Sequence, residues 1–306
     1  MSELNKQVID LLFKHKSIQE IAKKLNITEK EVYINIKEII SFGKEIRPVY
    51  YNDAKIRYET GKIEENNKEE IILNRNDTSF RCLVVSDLHI GNAKSDIDLM
   101  NYVYDYAAKN EINNILNCGD LIEGIYTSGE KSINSVEEQI DTIINKHPYD
   151  KDINVFAVLG NHDFHSYYYD NLDVGKVIHD ERYDINSIGY GKGIISIGKE
   201  NILLSHKIGK KNMPEIKERY KVQLIGHGHE MKTKAYDIFK LCVPTLSNVS
   251  TDIRNKVIPG FIDLRIELEK EYFEFIEAKH MLITNEILEA SKSSCRLKTL
   301  YYSKRK

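Results

Sequence analysis

The sequence predicts an α/β fold preceded by a small all-helical unit, on three observations. Short runs of branched apolar residues alternate with amphipathic stretches between Arg81 and Leu159, in the order strand, helix, strand, helix, strand. Parallel strands joined by crossover helices produce that order. Each of these apolar runs stops at a Gly or Ser beside a side chain able to hold a metal, whereas before residue 47 the apolar residues recur at helical spacing instead.

In the first 47 residues three short helices fit. Leu4, Val8, Leu11 and Leu12 form one stripe, Ile18, Ile21, Ala22 and Leu25 a second, and Val32, Ile36, Ile39 and Ile40 a third. Ser17 with Glu20, and Thr28 with Glu31, have capping-box form, in which each side chain satisfies an orphan amide at the helix start. With the tight connection Leu25-Asn26-Ile27-Thr28, the segment resembles the helix-turn-helix of bacterial regulators. Lys23, Lys24, Thr28 and Lys30 are its candidate DNA contacts, while Glu29 and Glu31 at the presumed recognition end oppose them. Protein docking and simple packing are the alternative uses. Residues 48–76 turn polar and read as a wing-like hairpin, with strands at Lys55–Tyr58 and Glu70–Leu73, or as a linker.

The larger domain is expected over 77–283. Leu83, Val84 and Val85 read as a buried strand that breaks off at Asp87 and His89. A helix is expected over Asp96–Lys109, a strand over Ile115–Asn117, a helix over Val136–Lys146 and a strand over Ile153–Leu159. Ile194–Ile197 and Ile202–Leu204 suggest a hairpin, Pro214–Tyr220 a short helix and Val222–Ile225 a strand. Strands are expected through Ile276, and 284–306 reads as a basic, solvated tail.

A formal net charge of -3 over 306 residues names no partner by bulk electrostatics. The four cysteines are scattered without CxxC spacing, which fits reduced thiols of a cytoplasmic protein. No apolar run approaches the roughly 20 residues of a membrane helix, and the first residues contain no signal-peptide core. A soluble protein without a membrane partner is expected; its oligomeric state is left open.

The residues at the ends of the apolar runs read Asp87-x-His89, Gly119-Asp120, Gly160-Asn161-His162-Asp163, His206 and Gly226-His227-Gly228-His229. This ordered set resembles the calcineurin-like metallophosphoesterase family, with its D-x-H, GD, GNH(D/E), H and GHxH motifs, over about residues 80–276. The resemblance implies a β-sandwich flanked by helices and two divalent ions, manganese foremost, with iron or zinc as alternatives. By the family pattern Asp87, His89, Asp120 and His229 would hold one ion, and Asp120, Asn161, His206 and His227 the other. A carboxylate bridging with its two oxygens suits such a pair, and imidazole with carboxylate suits these metals better than calcium. A hydroxide shared by the ions would attack phosphorus; His162 would protonate the leaving oxygen, with Asp163 orienting its ring.

The family's protein phosphatases carry an Arg after GD, where this chain has Leu121-Ile122-Glu123-Gly124. Its absence and the nearby Glu123 disfavour a dianionic monoester. The leading expectation is a phosphodiesterase acting on DNA as a nuclease. A small-molecule or cyclic-nucleotide diesterase whose helical unit mediates oligomerisation is the alternative, and a non-catalytic DNA-binding regulator a third.

Overall fold

The computed structural model describes residues 1–44, 46–51, 56–60, 68–73, 77–125, 130–170, 172–208, 218–235, 237–249, 257–284 and 286–297. Three helices, α1 (Glu3–Leu12), α2 (Ile18–Leu25) and α3 (Glu29–Ser41), form where the apolar stripes predict them. Both capping boxes are made, and Asn26 turns the chain between α2 and α3 in the left-handed conformation.

Strands β1 (Ile46–Tyr51), β2 (Ile56–Thr60) and β3 (Lys68–Ile72) follow, then β4 (Ser79–Val85), α4 (Leu99–Lys109), β5 (Asn114–Asn117), α5 (Val136–Lys146) and β6 (Asn154–Leu159). Next come α6 (Asn161–Asp170), α7 (Val174–Glu181), β7 (Ile185–Tyr190), β8 (Lys192–Ile197), β9 (Glu200–Ser205) and β10 (Val222–Ile225). The last strands are β11 (Lys232–Ala235), β12 (Phe239–Cys242), β13 (Gly260–Glu269), β14 (Tyr272–Ile283) and β15 (Ile287–Arg296). They build a seven-stranded sheet, β15-β14-β13-β4-β5-β6-β7, and an eight-stranded sheet, β11-β12-β10-β9-β8-β3-β1-β2.

The pleat divides β4 between two cores. Phe80, Cys82 and Val84 meet Ile195, Leu204 and Leu224 between the sheets. Leu83 and Val85 face Met100 and Val103 of α4, Ile140 and Ile143 of α5 and Ile178 of α7. This double burial is why β4, β5 and β6 read as continuous apolar runs. The buried residues of α1 to α3 join the inter-sheet core beside Ile46, Tyr58 and Ile71.

Two expectations are corrected. The strands expected at Lys55–Tyr58 and Glu70–Leu73 do not pair with each other: β2 pairs antiparallel with β1, and β3 runs parallel between β1 and β8, extending the eight-stranded sheet. The 284–306 segment begins as strand rather than tail, since β15 pairs with β14 from Ile283↔Ile287 to Phe275↔Arg296. Most of the β15 side chains are exposed, so backbone pairing holds the strand without leaving an apolar alternation in the sequence. Residues 214–217 of the expected helix at Pro214–Tyr220 lie outside the described residues, as do 61–67, with the turns at Gly61 and Asn66-Asn67, and 298–306, and 218–220 are not helical.

α6, α7 and β7 had no expectation attached. α6 is built from Asn, His, Ser and Tyr, which favour helices weakly, and it has no apolar stripe. A third face of the helical unit is also used: Glu29, Tyr33 and Lys37, four residues apart on α3, contact Tyr183, His179 and Asp180 around α7.

Candidate metal centre

Five strand ends meet at one place. β4, β5 and β6 are parallel neighbours in one sheet, and β9 and β10 are parallel neighbours in the other. Their carboxyl ends therefore deliver Asp87 and His89, Asp120, Asn161 and His162, His206, and His227 and His229 to a common cleft. Asp87, His89, Asp120, His227 and His229 all have φ between 51 and 75°, in the left-handed region. Each costs on the order of 1 kcal/mol or more for a residue with a Cβ, so the surrounding contacts must enforce it. They do: Asp87 N donates to Gly119 O at 2.8 Å, His89 N to Asp120 O at 3.0 Å, and Thr245 Oγ1 to Asp87 O at 2.8 Å.

The neighbouring glycines make room for ligand side chains. A Cβ on Gly160 would lie 2.1 Å from Asp120 Oδ1, and one on Gly119, at φ 102°, 2.5 Å from His206 Nδ1.

The imidazole tautomers follow from their partners. Nδ1 of His206 donates to Cys118 O at 2.5 Å, Nδ1 of His229 to Val249 O at 2.7 Å, and Nδ1 of His89 to a Glu123 carboxylate oxygen at 3.0 Å. In the neutral rings each Nε2 is thus left with a lone pair. Those lone pairs face carboxylate oxygens: His206 Nε2 lies 3.0 Å from Asp120 Oδ2, and His229 Nε2 lies 3.1 Å from Asp87 Oδ1. His89 Nε2 lies between, 3.7 Å from Asp87 Oδ1 and 3.8 Å from Asp120 Oδ2.

Acceptors crowded against acceptors in a buried site require a cation. His206 Nε2 is buried with no hydrogen-bond partner, and Asp87 and Asp120 are 0% and 1% exposed. Two sets face each other, Asp87, His89 and His229 on one side and Asp120, His206 and His227 on the other, and a third, His89, Glu123 and His162, lies toward the rim. Asn161 Oδ1 joins the second set, 2.9 Å from His227 Nδ1. Asp120 Oδ2 faces both sets, while Oδ1 accepts the His162 amide at 2.9 Å. One oxygen, rather than the expected two, is therefore placed between them.

Without metal, protons respond to the same field. Burial alone would lower the His206 and His89 pKa values. The carboxylates of Asp120 and Asp87, with Glu123 added at His89, outweigh it and raise His206 to about 9 and His89 to about 10. Burial likewise opposes ionisation of Asp120, yet His206 and its neighbours lower it to about 2.

His162 sits at the rim with its side chain 18% exposed, its Nδ1 donating to the Glu123 backbone carbonyl at 2.8 Å. Asp163 does not orient that ring. Its carboxylate instead accepts the amides of Gly160 at 2.8 Å, Ile122 at 3.1 Å and Leu121 at 3.3 Å, stapling the loop after β5 to the loop after β6. Burial and the nearby Asp120 raise the Asp163 pKa to about 7.

Glu123, 2% exposed, lies beneath both His89 and His162. In the sequence it stands out only as a charge near the phosphate, three residues after Asp120. Lys23 and Lys24 at the end of α2, Thr28 at the cap of α3 and Lys30 are exposed on the helical unit and take no part in this cleft.

Residues 80–248 match the family model of the calcineurin-like phosphoesterase superfamily domain. No curated protein matches the chain. Among solved structures, Vacuolar Protein Sorting 29 from Cryptosporidium parvum is similar at 15% identity and TM-score 0.44, covering 72% of this chain and 100% of that one. YfcE, a phosphoesterase from E. coli, is similar at 19% identity and TM-score 0.37, covering 63% and 96%. Nuclease MPE from Pseudomonas putida is similar at 15% identity and TM-score 0.33, covering 61% and 84%.

Proposed function

This chain belongs to the calcineurin-like phosphoesterase superfamily, and from that premise we propose that it is a metal-dependent phosphodiesterase that cuts DNA. The observation that carries the proposal is the buried meeting of the Asp87, Asp120, His89, His206 and His229 donor atoms beneath the partly exposed His162. Asp87, His89, Asp120 and His229 would hold one divalent ion, and Asp120, Asn161, His206 and His227 the other. Manganese is the first choice, with iron or zinc fitting the same donors. Bound there, the ions supply Lewis acidity toward a phosphoryl group and activate water near neutral pH.

The chain's own residues do the remaining work. Glu123 O holds His162 Nδ1–H, so Nε2 is the nitrogen left for proton transfer. As imidazolium, His162 donates from Nε2 to the departing oxygen and returns to the neutral ring. The buried Glu123 carboxylate adds negative charge below the cleft, which favours a singly charged diester over a doubly charged monoester. The exposed Lys23, Lys24 and Lys30, together with Lys207 beside His206, offer phosphate contacts to a polyanion.

The docked face of α3 favours a second reading, a small-molecule or cyclic-nucleotide diesterase. There the helical unit only packs, because Glu29, Tyr33 and Lys37 are engaged with the catalytic domain. Manganese-loaded protein assayed on a bis-aryl diester, an aryl monoester, cyclic nucleotides, and single- and double-stranded DNA and RNA separates the two. DNA cleavage that is lost in His162→Ala supports the first; activity confined to small diesters overturns it.

A further inference from the structure

α6 carries Asn161 and His162 in its first turn and an aromatic series beyond them, Phe164, His165, Tyr167 and Tyr168. Tyr167 and Tyr168 lie on different faces, with the Phe164 ring between them and against both. Phe164 and Tyr167 turn toward β7, where both meet the Tyr190 ring, at centroid distances of 5.6 and 5.4 Å. Tyr190 is fixed in turn by its hydroxyl, which donates to Asp173 at 2.9 Å. Packing accounts for these two side chains.

Asn161, His165 and Tyr168 share the other face, spaced by four and three residues. Tyr168 is 66% exposed and is backed by Phe164, whose ring centroid is 6.3 Å away. In a helix the Cα–Cβ bonds tilt toward the N-terminus, so the side chains on this face lean back toward Asn161 and the metal centre. At a rise of about 1.5 Å per residue, Tyr168 stands roughly 10 Å along the axis from Asn161. That is the reach of the nucleotide next to a phosphate held at the centre. An exposed ring with an aromatic backing, one step from the cleaved bond, has the features of a base-stacking platform.

Resting on the nuclease reading above, we propose that Tyr168 forms a stacking subsite for an unpaired nucleobase beside the scissile phosphate. The preferred substrate is then single-stranded or frayed nucleic acid, because a base within a closed duplex has both faces covered by its neighbours.

The test compares the wild type with Tyr168→Ala and Tyr168→Phe, each checked for thermal unfolding, on a single-stranded oligonucleotide, the same strand in a duplex, and a strand with one abasic nucleotide beside the cut. Tyr168→Ala is expected to raise KM on the intact single strand roughly tenfold with kcat little changed. Tyr168→Phe restores the wild-type KM, and the abasic strand removes the difference between wild type and Tyr168→Ala. In metal-loaded protein carrying His162→Ala, which leaves the strand uncut, 2-aminopurine at the flanking position is quenched on binding, and much less when Tyr168→Ala is added.

An unchanged KM in Tyr168→Ala, or a duplex cut as readily as the single strand, overturns the subsite and leaves the nuclease reading standing. A wild type that hydrolyses small diesters but no oligonucleotide overturns the nuclease reading and the subsite with it.

Discussion

Glu123 and His89 form a buried pair, with the carboxylate accepting from Nδ1 at 3.0 Å and so aiming Nε2 between Asp87 and Asp120. Removing the charge weakens both the aim and the basicity of the ring. Glu123→Gln is expected to lower metal affinity about 10- to 100-fold, while far-UV circular dichroism stays that of the wild type. A titration of the metal-free variant with manganese that gives the wild-type affinity would refute this role.

Metal loading should release protons. The raised values of about 10 for His89 and about 9 for His206 keep both rings protonated at pH 8 in the metal-free protein, and metal ligation requires them neutral. Calorimetric titrations in buffers of differing ionisation enthalpy are expected to report about two protons released per fully loaded chain at that pH. Asp87→Asn should reduce both the metal content and the release, with the fold retained.

Asp163 acts on loops rather than on the His162 ring. Its replacement by Asn keeps the shape but sets an NH2 group where the carboxylate accepts backbone amides with both oxygens. Asp163→Asn is expected to destabilise the protein by about 2 kcal/mol, seen as a lower urea midpoint. The alkaline limb of the diesterase pH profile, where His162 loses the proton it donates, should keep its position; a displaced limb would restore the ring-orienting role.

His147 gives the fold an acid weakness away from the cleft. Burial, then the nearby Arg182, lowers its pKa from 6.5 to about 4. The unfolded chain takes up a proton at the higher value and the folded chain at the lower one. The stability present above pH 6.5 is therefore lost progressively as pH falls toward 4, by about 3 kcal/mol for a shift of this size. Urea midpoints measured from pH 7 to 4 should fall more steeply in the wild type than in His147→Leu.

The lysines of the helical unit should behave unequally. Lys37 is tied to Asp180 at 2.8 Å, whereas Lys23, Lys24 and Lys30 are exposed. The triple replacement of Lys23, Lys24 and Lys30 by Glu is expected to weaken duplex binding and flatten its dependence on salt, and Lys37→Gln to change little. Equal effects from the two variants would argue against recruitment through this surface.

The sequence by itself determined the strands that carry the site and the residues at their ends. Burial on both faces writes β4, β5 and β6 as continuous apolar runs, and the ligand-type residues follow each run at once. The helices α1 to α3 and α5 were equally legible, because one buried face leaves a periodic stripe, and capping boxes mark the starts of α2 and α3. Tertiary structure alone decided the rest. α6 has no such stripe, since packing against Tyr190 holds it, and β15 has no alternation, since its side chains face solvent. The β1 to β3 strands gave no sign that they join the larger sheet, because their partners lie far along the chain. The roles of Glu123 and Asp163 likewise depended on where loops from different strands meet. A sequence names the groups available for hydrogen bonding, and only the fold decides which donor lies within 3 Å of which acceptor.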